Sequence, residues 1–372
     1  MIKNTLFELI KIGLGKTVPD HLPRCDDWNA LMELSYSQGV GGVVLAGLTK
    51  VYDVMPKTIS FSKDWIQINI LLKWYGLQNV IEKKYAANKK TIVKLGLFFS
   101  DHQLPMMLLK GYGLSLNYPN PLFRPSGDID IYMYGHREVS DKLVKSNLSV
   151  AIDNSHHHHT VFYYNSQPIE NHYDFINIHS HKSNKAIEKH FKKLADEKYG
   201  EQIMKNVYLP NPLLELEFTL RHAAGHFSSG EMLIRHILDW LLLVEKKNDK
   251  FNWDLFWNDV RWMGMKKFVC AIIKIGVDYL GFKKSIFHLP SDINIKEQLI
   301  DRIISDTLFP RHPRRPNDDG IVYVVWLIQR WWLNRWRHKL VYKDSLFSTF
   351  FSQLRSHLLK PASLQNKKCA NI

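Results

Sequence analysis

The sequence predicts an α+β protein in which a small mixed sheet is set between helical segments. Three features predict it. Apolar residues recur at helical spacing through residues 1–100, the N-terminal helical layer. At Pro105 that rhythm gives way to short apolar runs separated by turn residues, so that 101–182 reads as a compact α/β core. From Ser183 helical periodicity returns and continues to about residue 358, a mainly helical C-terminal domain, and 359–372 is expected to be a disordered tail.

Composition narrows the classes of function. A chain of 372 residues, 45% hydrophobic, can bury a full core. Its three cysteines, Cys25, Cys270 and Cys369, are widely spaced and form no CxxC, which excludes a disulfide framework and a cysteine zinc site. Glu8 and Lys11 interrupt the apolar N-terminus, so secretion is not expected and a cytoplasmic location is. No apolar run approaches the roughly 18 residues needed to span a bilayer. A net charge of +14 and a pI near 9.4 point to an anionic partner: a nucleotide, nucleic acid, anionic lipid or acidic polymer.

Taken in order, Asp26-Asp27 offers an N-cap ahead of Trp28, Leu31 and Leu34, and a long periodic segment follows from about Ser62 to Phe99. This layer reads as packing, with Lys83-Lys84 and Lys89-Lys90 on its solvated face. Met106-Met107-Leu108-Leu109 has buried-strand length, and Gly111, Gly113 and a short helical pattern come next. A strand, a glycine turn and a helix in that order aim backbone N–H groups at an anion. Residues 117–127, NYPNPLFRPSG, form a turn-rich loop, and Asp128 to Tyr134 is a second strand. His136 to Lys145 is a predicted helix. Val150 to Ile152, His159 to Tyr164 and Ile169 to Ile178 have strand character, and a further strand is predicted near Ile203 to Leu209. Pro212 starts a helix carrying His222 and His226, and Glu231 to Val244 is amphipathic.

The chemistry gathers around Asp128 and Asp130. Alternate residues of a strand share a face, so the two carboxylates project together while Ile129 and Ile131 face the core. Paired carboxylates behind a Lys-Gly turn and an arginine loop suit a site for Mg²⁺ and polyphosphate, since Mg²⁺ takes hard oxygen ligands and shares them with substrate phosphates. Glu170 is the candidate third acid, with Asp174 of the same strand parity as the fallback. Lys110 and Arg124 are candidate phosphate contacts, Lys as a point charge and Arg as a bidentate fork.

Other clusters are weaker. The run His156 to His159 would alternate between two faces if it were a strand, which disfavours a zinc site and favours a place at the cleft edge or in a loop, with His159 or His172 near a nucleotide. His222 and His226 share one helix face but lack the glutamate of a zincin, so they read as core or cleft-lining. The tryptophan-rich basic stretch around Trp326 to Lys343 reads as a packing helix, or as a surface that meets anionic membrane or nucleic acid through Arg330, Arg335 and Arg337.

The stretch LLKGxxLxxxYPxPxxRPSGDIDI, at about Leu108 to Met133, closely resembles the uncharacterised nucleotidyltransferase family of bacteria, a branch of the polymerase-beta-like superfamily. The likeness extends more loosely through Glu170 to His172, similar to a Glu-x-His strand of that family, and through His222 and Asp239. The resemblance implies a small mixed-sheet nucleotidyltransferase core and transfer of an NMP from an NTP to an acceptor such as a protein, RNA or saccharide. It implies Asp128, Asp130 and Glu170 as ligands of two Mg²⁺ or Mn²⁺ ions, and Gly111 as the phosphate-turn glycine. The sequence departs from the superfamily at Tyr112, where a serine is usual, so a hydroxyl contact to phosphate is lost or comes from Ser115 or Ser126; the third acid is Glu rather than Asp. The alternative is a catalytically inactive member of the fold acting as a nucleic-acid or membrane-surface binding module.

Overall fold

The computed structural model describes residues 1–21, 23–54, 66–290, 295–310 and 321–359. The expected tail beyond 359, the first part of the basic stretch from Arg311, and Ser62 to Trp65 of the long periodic segment lie outside them. Four helices open the chain: α1 (Ile2–Gly13), α2 (Trp28–Ser37), α3 (Gly41–Val54) and the long α4 (Ile68–Asp101). Asp27 caps α2 by accepting a hydrogen bond from Ala30 N at 2.9 Å.

The α/β region runs β1 (Met106–Leu108), α5 (Tyr112–Ser115), β2 (Ile129–Tyr132), α6 (Arg137–Leu148), β3 (His159–Tyr164) and β4 (Gln167–His172). It continues through α7 (Asn184–Glu197) to β5 (Gln202–Met204) and β6 (Val207–Tyr208). The six strands form one mixed sheet in the order β3-β4-β2-β1-β6-β5. Strands β1 and β2 are antiparallel, whereas β2 pairs with β4, and β1 with β6, in parallel. The sheet therefore takes in strands from residues 202–208 as well as from the predicted core. Residues 150–152, expected to be a strand, make none; only Asp153 bridges to Val161. The strand expected over 169–178 ends at His172, where Tyr173 N and Asp174 N both turn back to His158 O.

Each face of the sheet is apolar at alternate positions, and each is covered. On one face Met106, Leu108, Ile129, Ile131, Phe162 and Ile169 pack with Ile92, Leu95 and Phe99 of α4. Val207 joins this layer, and α4 approaches so closely at Gly96 that a Cβ there would lie 2.5 Å from the Val207 side chain. On the other face Met107 and Tyr132 join Phe175, Phe191 and the helical core. That core is built by α1–α3 together with α8 (Pro212–Ser229), α9 (Ile234–Lys247), α10 (Trp253–Met263), α11 (Lys266–Leu280) and α12 (Glu297–Leu308). Pro212 sits in the first turn of α8 and Asn211 caps it, accepting from Leu214 N at 3.1 Å.

The basic C-terminal stretch is three helices, α13 (Ile321–Leu333), α14 (Arg335–Val341) and α15 (Leu346–Leu359). Arg330 pairs with Glu231 and Arg337 with Asp306, while Arg335 lies over Trp332 at 4.4 Å from the ring centre. Two of the three arginines expected at an anionic surface thus serve internal ion pairs. No helix among the described residues is long and apolar enough to cross a membrane.

His181 ties this C-terminal unit to the loop before α7. Its ring stacks on Tyr342 at 3.5 Å, and its buried Nε2 has no hydrogen-bond partner. Burial, reinforced by Arg221, pushes its pKa down to about 2. An imidazole that ionises near 6.5 when unfolded but near 2 when folded favours the native state fully above pH 6.5, and that contribution drains away as pH falls toward 2. Between pH 7 and pH 5 the loss is about 2 kcal/mol. His181→Phe keeps the stack and removes the titration. Urea unfolding at the two pH values is expected to show a pH-dependent loss smaller by that amount in the variant.

Candidate active site

The parallel register of β2 and β4 sets Asp130 directly beside Glu170, and Tyr132 beside His172. Because Ile129, Ile131 and Ile169 fill the apolar face, Asp130, Glu170 and His172 emerge together on the opposite one. Asp128 precedes β2, and its charge acts on Lys110 together with those of Asp130 and Glu170, so the three predicted carboxylates lie around one ammonium. Lys110 follows β1 and reaches the same place, its Nζ 2.7 Å from Asp130 Oδ1. His172 Nε2 lies 3.1 Å from that same oxygen and 3.4 Å from Glu170 Oε2.

Three carboxylates and two cations share a largely buried site, and their protonation follows from who touches whom. Burial works against the Asp130 charge, but Lys110 and the His172 hydrogen bond overcome it and hold its carboxyl well below the usual range. Asp128 goes the other way: the Asp130 charge, then burial, then Glu170 raise it. Burial disfavours the Lys110 ammonium, yet Asp130, Glu170 and Asp128 keep its pKa above the ordinary value. One carboxylate of the group is thus the natural holder of a proton while two cations neutralise the others. Oxygen atoms of Asp130 and Glu170 and a nitrogen of His172 all lie within 4.8 Å of one another, close enough to share one metal ion.

The glycine turn has the form its sequence predicts. Gly111 adopts φ 50° and ψ −110°, a region that L side chains rarely enter, and a Cβ there would sit 3.1 Å from Ser126 Oγ and 3.4 Å from Asp128 O. Tyr112 turns away: its ring is buried, stacked on Tyr85 at 5.0 Å. Ser115 is buried too and donates to Tyr112 O, which leaves Ser126, beside Gly111, as the hydroxyl nearest the turn. Gly111→Ala is expected to cost about 1–3 kcal/mol through backbone strain and to displace Ser126. A denaturation midpoint that does not move would contradict this.

Arg124 is held more deeply than its predicted phosphate role implies. Nε and Nη2 donate to the two oxygens of Asp239 at 2.7 and 2.8 Å, Nη1 donates to Pro125 O, and only 6% of the side chain is exposed. Tyr118 OH donates to the same Asp239 oxygen at 2.9 Å. Both ends of the Pro-rich loop are therefore fastened to α9.

Two readings of the sequence are corrected. Asp174, the fallback acid, lies beyond the end of β4 and pairs with Lys192 at 2.5 Å, outside the carboxylate group. Lys84 is not on the solvated face: it is half-buried, donates to Gln167 Oε1 at 2.5 Å and feels the charge of Asp128, because α4 crosses the sheet there. The histidine run lies mostly in a loop, one of the two places expected for it. His156 to His158 form a bend before β3, which brings the His158 and His159 rings to 5.5 and 5.1 Å from His172.

Two features escaped the sequence reading. Arg235 of α9 donates to Pro125 O at 3.2 Å while its Nε is buried without a partner, a cation beside the loop that amphipathic spacing cannot single out. His236 joins His222 and His226, its ring stacked on His226 at 4.3 Å. Burial first, and nearby cations including Lys110, hold all three below the usual histidine range. His236 Nδ1 accepts from Leu233 N, so the neutral ring carries its proton on Nε2 and has no lone pair left for a cation. These rings form a buried cluster of neutral groups.

A family model described as uncharacterised nucleotidyltransferase matches residues 24–281, a span that includes the carboxylate group, the glycine turn and the Arg124–Asp239 anchor. No curated protein and no solved structure matches the chain significantly. The match covers well over half of the chain, and with the mixed sheet it agrees with the resemblance seen in the central motif. The chain belongs to the uncharacterised nucleotidyltransferase family.

Proposed function

We propose that the protein is a divalent-metal-dependent nucleotidyltransferase that moves an NMP from an NTP to an acceptor hydroxyl or phosphate. The observation that carries this reading is the gathering of Asp128, Asp130 and Glu170 around Lys110 on one face of the sheet. The donor set suits a divalent ion: three carboxyl groups, with the Lys110 ammonium already standing as a cation against Asp130. Asp128, Asp130 and Glu170 would hold the metal, which supplies polarisation of the α-phosphate and activation of the acceptor oxygen.

The remaining work falls to the chain. Lys110 stays charged, and with Gly111 and Ser126 it forms the wall that receives the triphosphate. Arg124 contributes by fixing the loop that carries Ser126 and Asp128, and its own contact with phosphate would require the Asp239 pair to open. Glu170, ionised and half-buried, is the carboxylate assigned to bridge metals or to take the acceptor's proton.

The test is transfer of label. With α-phosphate-labelled NTPs, Mg²⁺ or Mn²⁺, and a cell lysate, wild-type protein is expected to label an acceptor that the Asp128→Asn/Asp130→Asn double variant leaves unlabelled. Equal labelling by both proteins would remove the proposal. Failure of both to bind NTP would favour the non-catalytic reading.

A further inference from the structure

His172 donates through Nδ1 to the backbone carbonyl of Asp174 at 3.2 Å, and a carbonyl can only accept. The neutral imidazole therefore keeps its lone pair on Nε2. That atom points into the carboxylates, 3.1 Å from Asp130 Oδ1 and 3.4 Å from Glu170 Oε2. Two lone-pair donors do not sit this close unless a proton or a metal lies between them: without metal the two carboxylates keep a proton on the ring, the cation described above, and a bound metal takes that proton's place. Ligand atoms on adjacent corners around a cation at about 2.1 Å are about 3.0 Å apart, so the spacing is that of a shared coordination shell. The far side of the ring agrees: a histidine whose far nitrogen is fixed by a backbone carbonyl is the usual form of a metal-bound imidazole. The ring is 1% exposed, and its neighbour His159, with Nε2 3.6 Å from Glu170 Oε1, brings further buried ring nitrogens to the group.

We infer that His172 is itself a metal ligand, and that with Asp130 and Glu170 it makes a mixed nitrogen–oxygen site selecting a first-row transition ion such as Mn²⁺ over Mg²⁺. Mg²⁺ takes oxygen donors almost alone, whereas every first-row transition ion, Mn²⁺ the weakest among them, gains from an imidazole nitrogen that Mg²⁺ does not. This inference rests on the metal-site reading above, but its failure can be told apart from failure of that reading. The alternative role for His172 is a protonated cation bridging the two carboxylates, without contact to metal.

The experiment is Mn²⁺ titration of the full chain without nucleotide, followed by electron paramagnetic resonance and pulsed detection of nitrogen coupling. Wild-type protein is expected to bind Mn²⁺ with the coupling of a directly ligated imidazole. His172→Gln is expected to lose that coupling and to weaken Mn²⁺ at least about tenfold, while changing Mg²⁺ affinity less than about threefold. Mn²⁺ binding that Asp130→Asn abolishes, but that shows no nitrogen coupling in wild type, overturns the inference and leaves the metal site standing. No Mn²⁺ binding at all removes both. Should His172→Gln fail to fold, His158→Gln and His159→Gln decide the matter: each is expected to keep the coupling, and its loss in either would reassign the ligand.

Discussion

Asp130→Asn is expected to slow nucleotidyl transfer by at least about a thousandfold, a loss of about 4 kcal/mol of transition-state stabilisation. Asn matches Asp in size, so the packing of β2 is retained, but the charge that organises the site is gone. Asp130 is the buried member of the group, 3% exposed, and the one carboxylate touched by both Lys110 and His172. Without its charge neither cation has its closest partner, and a metal loses its most firmly ionised ligand. The fold is expected to survive, because Asp128 and Glu170 still face Lys110. Rates of label transfer, read beside the urea midpoint, separate the two effects. A rate within about tenfold of wild type in a folded variant would sink the assignment of Asp130.

The alternation of β2 was legible in the chain because its signal is local: Ile129 and Ile131 must face a core, so Asp128 and Asp130 cannot. Glu170 was legible as a candidate only. What makes it part of the site is the parallel pairing of β4 with β2, a contact across forty positions that no spacing rule fixes. Where the reading failed, tertiary packing overrode a local pattern. Lys84 follows helical periodicity toward solvent until α4 crosses the sheet edge, and the chain turning at His158 ends β4 sooner than its strand-like composition predicts. Tyr112 shows the reverse. It marked the phosphate turn as unusual, and its ring proved to be core filling, which shifts attention to Ser126.

Asp239→Ala is expected to be the most damaging single change to stability, costing about 3–5 kcal/mol. It would strand a guanidinium that is 6% exposed and would also remove the acceptor of Tyr118 OH. That is a large part of the ~5–15 kcal/mol that keeps an ordinary domain folded. The penalty belongs to the unpaired charge rather than to the pair, so Arg124→Met combined with Asp239→Leu is expected to recover much of it. Urea unfolding of both singles and the double measures the coupling, and a cost below about 1 kcal/mol for Asp239→Ala would show that the pair is not desolvated. Activity supplies the second half of the argument. In the double variant the loop is stable but no longer clamped at Arg124, only two residues from Ser126 and four from Asp128. Transfer is expected to remain impaired after stability is restored, because the ion pair orients the carboxylate loop as well as holding the fold.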